Sequence, residues 1–258
     1  MFFGNTKLGK PVKNFVLRNP NLARRYYQYY GIDYFSVHGF DRLLEPFIKP
    51  KNGFYVELGA DNGIYESTSR YFEVFRGYTG ILIEPHPENF SLLKKVRSKK
   101  NHFVNAACVN FGFPSPNTKL LLAGAMSVVF DLESDLPDKL MHISKGAKHL
   151  AKMQHSAVSK VMWHEVPART LNSILEEALA PHVINFLSLD VEGAESAVIK
   201  GIDHQKYRFK LIIIESRNHL KTKLLLEGFG YEFIKAVSPS DLLFKDVTIS
   251  NYSNLEEE

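Results

Sequence analysis

Cysteine is all but absent. Cys108 is the only one in 258 residues, which excludes an internal disulfide and suits a reducing compartment, with the cytoplasm as the expectation. Long apolar runs are missing as well, and none approaches the roughly 20 residues that span a bilayer. Residues 1–7 have neither a long apolar stretch nor a small-residue cleavage site, so no secretory leader is expected. Acid is missing from the start of the chain, where Lys7, Lys10, Lys13, Arg18, Arg24 and Arg25 all precede Asp33. There is no internal repeat. What is present is ordinary globular material, 45% apolar and 23% charged with a net charge of +4, and long enough to bury a full core.

The charge is unevenly placed. The basic start runs into Tyr26, Tyr27, Tyr29 and Tyr30, and such a stretch can meet an anionic surface or phosphates. A second cluster, Lys94, Lys95, Arg97, Lys99 and Lys100, reads as a solvated face. Residues 1–50 carry no clear strand and form a helical, basic and aromatic arm. A helix is expected over 21–30, capped by Asn21 and ended by Gly31, and another over 41–48, stopped by Pro50.

From Phe54 the pattern changes to short apolar runs alternating with helical-period segments, the mark of βα units on a parallel sheet. Strands are expected at 54–58, 80–84, 102–106, 185–190 and 210–215. Helices are expected at 67–75, 87–97, 170–179, 195–201 and 220–228, and Ser238-Pro239-Ser240 joins a closing antiparallel hairpin of 230–236 and 242–247. Residues 110–165 break the alternation. They form an insertion with a strand at 119–122 and a helix over 136–153, in a position where loops carry substrate contacts. The acids 256–258 read as a disordered tail. Residues 51–258 thus form one α/β domain, a mostly parallel seven-stranded sheet of Rossmann-like type.

The first strand runs straight into Glu57-Leu58-Gly59-Ala60-Asp61-Asn62-Gly63. Gly59 and Gly63 let the backbone turn sharply beyond the carboxyl end of the strand, where doubly wound sheets place cofactors. A pyrophosphate loop wants a third glycine and no acid. Glu57 and Asp61 would repel phosphates but suit a cationic amine and a sulfonium, so S-adenosylmethionine (SAM) is the expected ligand. Glu84 closes the second strand, where an acid accepts both ribose hydroxyls. Pro85 follows it, and Ala106 with its small neighbours leaves room for a flat adenine. A second dense motif, Leu189-Asp190-Val191-Glu192-Gly193-Ala194-Glu195, brings three carboxylates to the same edge of the sheet; Glu192 and Glu195 would also suit the positive end of a helix.

In these pieces the chain resembles the FkbM-type methyltransferases, a class I branch of the SAM-dependent enzymes. The similarity is carried by 56–63, by Ile83-Glu84-Pro85-His86-Pro87-Glu88-Asn89-Phe90, by 166–175, by 189–195 and by Ile214-Glu215, in the family's order over roughly 53–235. The resemblance implies a Rossmann-like methyltransferase fold and O-methylation of a sugar or polyketide hydroxyl. It places Glu57, Gly59, Asp61, Gly63 and Glu84 at the cofactor and Asp190 at the reaction centre.

Methyl transfer needs an aligned acceptor oxygen and a base for its proton. Asp190 is the first candidate, with Glu192 beside it; His164, next to Glu165, is the histidine best placed to compete, ahead of His86 and His155. Asp190 and Glu215 end adjacent strands and, with Glu192, could hold Mg²⁺ against the acceptor's hydroxyls. A nicotinamide-dependent oxidoreductase and a non-catalytic binding protein of the same fold are the alternative classes. The acceptor is expected to be a small molecule or glycan, with the arm's aromatics stacking on sugar faces. No nucleic acid is expected, since no reading motif accompanies the basic clusters.

Overall fold

The apolar run Phe54–Leu58 pairs on both sides and becomes β1, the centre of a seven-stranded sheet. The computed structural model describes residues 10–36, 38–48, 51–64, 66–122, 126–136, 138–153 and 162–249. Lys7, Pro50, His155 and the acids 256–258 lie outside them.

The arm opens with α1 (Lys10–Arg18), a helix the basic composition had hidden, then α2 (Pro20–Tyr29) and α3 (Phe40–Leu44), which ends in a 3₁₀ turn at Glu45–Phe47. Asn19, not Asn21, caps α2; its side chain accepts from the N–H groups of Asn21 and Leu22. Pro20 then occupies the first helical position, where a missing N–H is harmless. Leu17, Ala23 and Tyr27 bury against Val74 and Val96. Arg24 donates to the carbonyls of Val74 and Phe75 at 3.2 and 2.5 Å, so the arm is tied to the helix that follows β1.

After β1 come α4 (Ser69–Arg76), β2 (Thr79–Ile83), α5 (Pro87–Val96) and the short β3 (His102–Val104). The expected strand 102–106 stops early because the chain leaves the sheet at Asn105. Residues Ala107–Val109 form β4 in a second sheet, with β5 (Asn117–Leu122), β6 (Val128–Val129) and β7 (Met162–Thr170) in the order β4-β7-β5-β6. Helix α6 (Lys139–Met153) lies between β6 and β7. Within 110–165 the expected strand is β5 and the expected helix is α6, and β6 and the start of β7 are added to them. Strand β7 went unread because His164, Glu165, Pro167 and Arg169 mask its period.

Thr170 then caps α7 (Leu171–Glu177), leading to β8 (Val183–Leu189), α8 (Glu195–Ile199), β9 (Arg208–Glu215), α9 (His219–Gly228) and the hairpin β10 (Tyr231–Ala236) and β11 (Asp241–Asp246). The main sheet runs β10-β11-β9-β8-β1-β2-β3, parallel except for β11, which is antiparallel to both neighbours. Both faces are covered: Val56, Ile81, Leu187 and Ile212 lie in one core, and Tyr55, Leu82, Phe186 and Ile213 in the other with Phe72 and Tyr78. The chain winds outward in opposite directions from β1 and β8. That switch point, at the strands' carboxyl ends, is where such sheets bind ligands.

Candidate active site

The loop after β1 is held by backbone contacts that glycine alone permits. Gly59 has φ +73°, and a Cβ there would run into the carbonyl oxygen of Asp190. The N–H groups of Gly59 and Ala60 both donate to the Ile83 carbonyl at 3.1 Å. Asp61, with φ 44°, turns its own N–H to the Glu84 carboxylate at 2.8 Å, and His86 donates its N–H to the same group at 2.8 Å. Burial outweighs these bonds and pushes Glu84 up to about 7. Burial also raises Asp61, whose carboxylate accepts from Asn62 at 2.8 Å and Asn89 at 2.5 Å. Gly63 lies behind the loop, against Leu93 and Arg97.

Glu57 reaches the cavity wall, but its carboxylate does not stand free for a ligand's amine. Ser67 donates to both its oxygens at 3.1 and 3.0 Å, Ser69 donates through its N–H at 3.2 Å and its hydroxyl at 2.6 Å, and Arg97 lies 3.4 Å away. The expected role of Glu57 beside the amine gives way to one of bracing the loop from below. Arg97 is corrected too: it is fully buried rather than part of a solvated face, and it also binds Glu73, Ser67, Ser69, Tyr55 and the Gly63 carbonyl.

Across the switch point the chain leaves β8 at Asp190 and turns through Glu192 (φ 54°) and Gly193 (φ 97°) into α8. Glu195 folds back so that one oxygen, Oε1, accepts the N–H groups of Val191 and Gly193 at 3.1 and 3.0 Å. Its other oxygen, Oε2, is buried without a partner among the described residues, as is Oε2 of Glu215. Carboxyl oxygens of Asp190, Glu195 and Glu215 come within 4.8 Å of one another. Glu192, expected among them, instead meets His142 at 3.0 Å and Arg217 at 3.2 Å. Arg217 also pairs with Glu215 at 2.8 Å.

Burial and the neighbouring acids raise Glu195 to about 7 and Glu215 to about 8. Asp190 rises well above the usual carboxylate range, through burial first and then Glu215, Glu192 and Glu195. Its side chain faces the open cavity, so it is solvent-accessible although protein packs around it. Besides burial, the charged groups that raise its proton affinity are the acids Glu215, Glu192 and Glu195.

Both halves face one cavity of about 500 Å³, lined by Glu57, Gly59, Ala60, Asp61, Glu84, Pro85, Ala106, Asp190, Glu192 and Glu215. Three further walls bring in residues that the sequence reading had not named, two of them from the arm and the insertion expected to meet the acceptor. His38 and Phe40 come from the arm, Met126 and Ser127 from the insertion, and Ser240 and Asp241 from the hairpin. Asn89 joins them; its place in the matched segment 83–90 was the one available signal. His164 does not line the cavity and is exposed on β7, while His86 is buried with its Nδ1 unpartnered and is not among the lining residues.

Residues 57–233 match the methyltransferase FkbM domain. The chain belongs to the FkbM methyltransferase family. No curated protein matches it. Among solved structures it is similar to a precorrin-6y C5,15-methyltransferase from Geobacter metallireducens GS-15, at 10% identity and TM-score 0.37 over 81% of this chain and 87% of that one. It is also similar to a SAM-dependent methyltransferase from Aquifex aeolicus, at 10% identity and TM-score 0.35 over 92% and 97%. The fold of this FkbM methyltransferase rests on its own strand order. The family assigns SAM as methyl donor and excludes the oxidoreductase alternative. The matched segment runs from the end of β1 into β10, so it holds both the glycine loop and the acidic edge, while the arm lies outside it. No helix among the described residues is long and apolar enough to cross a membrane.

Proposed function

We propose that this FkbM methyltransferase transfers the methyl group of SAM to a hydroxyl oxygen of a sugar or glycan acceptor. The observation that supports this reading is that Asp190, with raised proton affinity, faces the same cavity as the Gly59 loop and Glu84. SAM supplies a methyl carbon already activated by the sulfonium.

The chain's residues fit such a donor. Glu84, in its ionised form, accepts the two ribose hydroxyls. Ala106 and Pro85 leave the flat space an adenine requires, and the glycine loop admits the donor's backbone-sized parts closely. Asp61, on the loop that lines the cavity, provides the acid for the amine. Asp190 orients the acceptor's hydroxyl and takes its proton as the oxygen–carbon bond forms and the carbon–sulfur bond breaks. An elevated proton affinity strengthens Asp190 as a proton acceptor over an ordinary carboxylate. His38, Ser127 and Asp241 supply polar groups for the remaining hydroxyls of a sugar. Tyr27 is buried and cannot stack on a ligand, whereas Tyr29 and Tyr30 are exposed beside Arg25 and form the arm's contact for an anionic or sugar surface.

The reading is tested by incubating the enzyme with methyl-labelled SAM and a panel of sugars, glycolipid precursors and amines, then locating the label by mass spectrometry. Label on a sugar oxygen is the expected result. Label only on nitrogen or carbon, or no binding of SAM by calorimetry, overturns it.

A further inference from the structure

The acidic edge has a feature that a proton-accepting role for Asp190 does not use. Glu195 is only 2% exposed, and its Oε1 is saturated by two backbone N–H groups. Among the described residues its Oε2 has no hydrogen-bond partner, and neither has Oε2 of Glu215, although the Asp190 and Glu215 carboxyls share a hydrogen bond. An unpartnered carboxylate oxygen inside a protein is unfavourable unless something positive meets it. Among the described residues the nearby basic side chains are turned elsewhere: Arg217 is bound to Oε1 of Glu215 and to Glu192, and His142 faces Glu192. Three acids nevertheless converge, each offering an oxygen within 4.8 Å of the others.

From this geometry we infer that Asp190, Glu195 and Glu215 bind a divalent metal ion of the Mg²⁺ or Mn²⁺ type at the acceptor edge of the cavity. An all-oxygen donor set without histidine or cysteine selects a hard cation over zinc or copper. Three carboxylates leave half of an octahedral shell for water and for acceptor hydroxyls. The inference rests on the proposed O-methylation in this respect: a cation here would hold adjacent hydroxyls of a sugar and ease loss of the reacting proton. Single-oxygen ligation leaves the second oxygen of Asp190 free to accept that proton. Glu192, turned away to His142 and Arg217, stays outside the set.

Metal-stripped enzyme at pH 8, without SAM, is titrated with Mn²⁺, and the free ion is read by electron paramagnetic resonance. One Mn²⁺ bound per chain and displaced by Mg²⁺ is the expected result. Glu195→Gln and Glu215→Gln each weaken it by about tenfold or more, since affinity at such sites follows ligand charge. Glu192→Gln changes it by no more than about threefold. The amide in Glu195→Gln retains an acceptor for the Val191 and Gly193 N–H groups, so the loop persists, and a thermal melt checks it. Absence of Mn²⁺ binding to the parent, or binding undiminished in both ligand variants, overturns the site. SAM calorimetry on the same samples separates the two readings. SAM binding without Mn²⁺ binding sinks the cation site alone, and loss of both sinks the functional reading as well.

Discussion

Glu73 and Glu195 are buried alike, at 1% and 2% exposure, yet their carboxyls are shifted in opposite directions. Burial acts to raise both, but at Glu73 the guanidiniums of Arg97 and Arg70 outweigh it and hold the group below the usual range. At Glu195 only backbone N–H groups oppose burial, and the group rises to about 7. Every carboxylate oxygen of Glu73 and Glu57 has a donor, from Arg70, Arg97, Asn101, Ser67, Ser69 and the Ser98 N–H. The first cluster is balanced in charge, with every carboxylate oxygen met by a donor, and it braces the glycine loop. The second is unbalanced and incomplete, and it opens on the cavity. Identical side chains at identical burial thus do structural or chemical work according to whether the protein supplies the matching cation.

The sharpest way to break this comparison is to unbalance the first cluster. Arg97→Met leaves Glu73 and Glu57 short of a donor and is expected to destabilise the fold by about 4 kcal/mol, measured by urea denaturation. An effect no larger than that of a surface substitution would mean that the cluster is not structural. Next comes Asp190→Asn, which removes a charge from the crowded side. It is expected to lower kcat by about 100-fold or more while SAM affinity stays within about threefold; equal losses in both would instead place Asp190 at the donor.

The third prediction concerns Glu84, whose carboxyl, like that of Glu195, lacks a cation. Its folded-state value, about 7, lies above the ordinary 4.5. The folded apo-protein therefore keeps a proton that the unfolded chain has released. That contribution to stability is complete below about pH 4.5 and is lost as pH rises through about 7, on the order of 3 kcal/mol. Thermal melts of Glu84→Gln against the parent should show the variant gaining relative stability between about pH 5 and 8. Donor binding has the opposite sign, since ionised Glu84 is the better acceptor for ribose hydroxyls, so SAM affinity is expected to rise over the same interval. The smallest effect is expected at Tyr29, 82% exposed on α2. Tyr29→Ala should leave the melting temperature within about 1 °C and alter only the KM for the acceptor.

Much of this contrast was legible from residue order. Strand β1 with Gly59, Glu84 at the end of β2 and Asp190 after β8 were each announced by an apolar run meeting a glycine or an acid. Those signals are local. The bracing cluster was not legible, because its partners are distant: Arg97 meets Glu73 and Glu57 from 24 and 40 positions away. Among lysines it read as one more solvated cation, and Glu57 read as free. Likewise nothing in 102–109 shows that Asn105 is where the chain changes sheets, since that depends on β7 arriving beside β4 with Ala107 opposite Ala168. The lining residues His38, Met126 and Asp241 come from three separate segments that only the fold brings together.

The close approach of Gly59 to the Asp190 carbonyl carries a consequence for how such enzymes diversify. In the proposed arrangement the span between donor and acceptor is set by main chain against main chain, at Gly59 and Asp190. A descendant seeking a new acceptor cannot adjust its jaw. It can only exchange the cheeks, which here are the arm at His38, the insertion at Met126 and the hairpin at Asp241, each of them replaceable without moving the hinge of the chemistry.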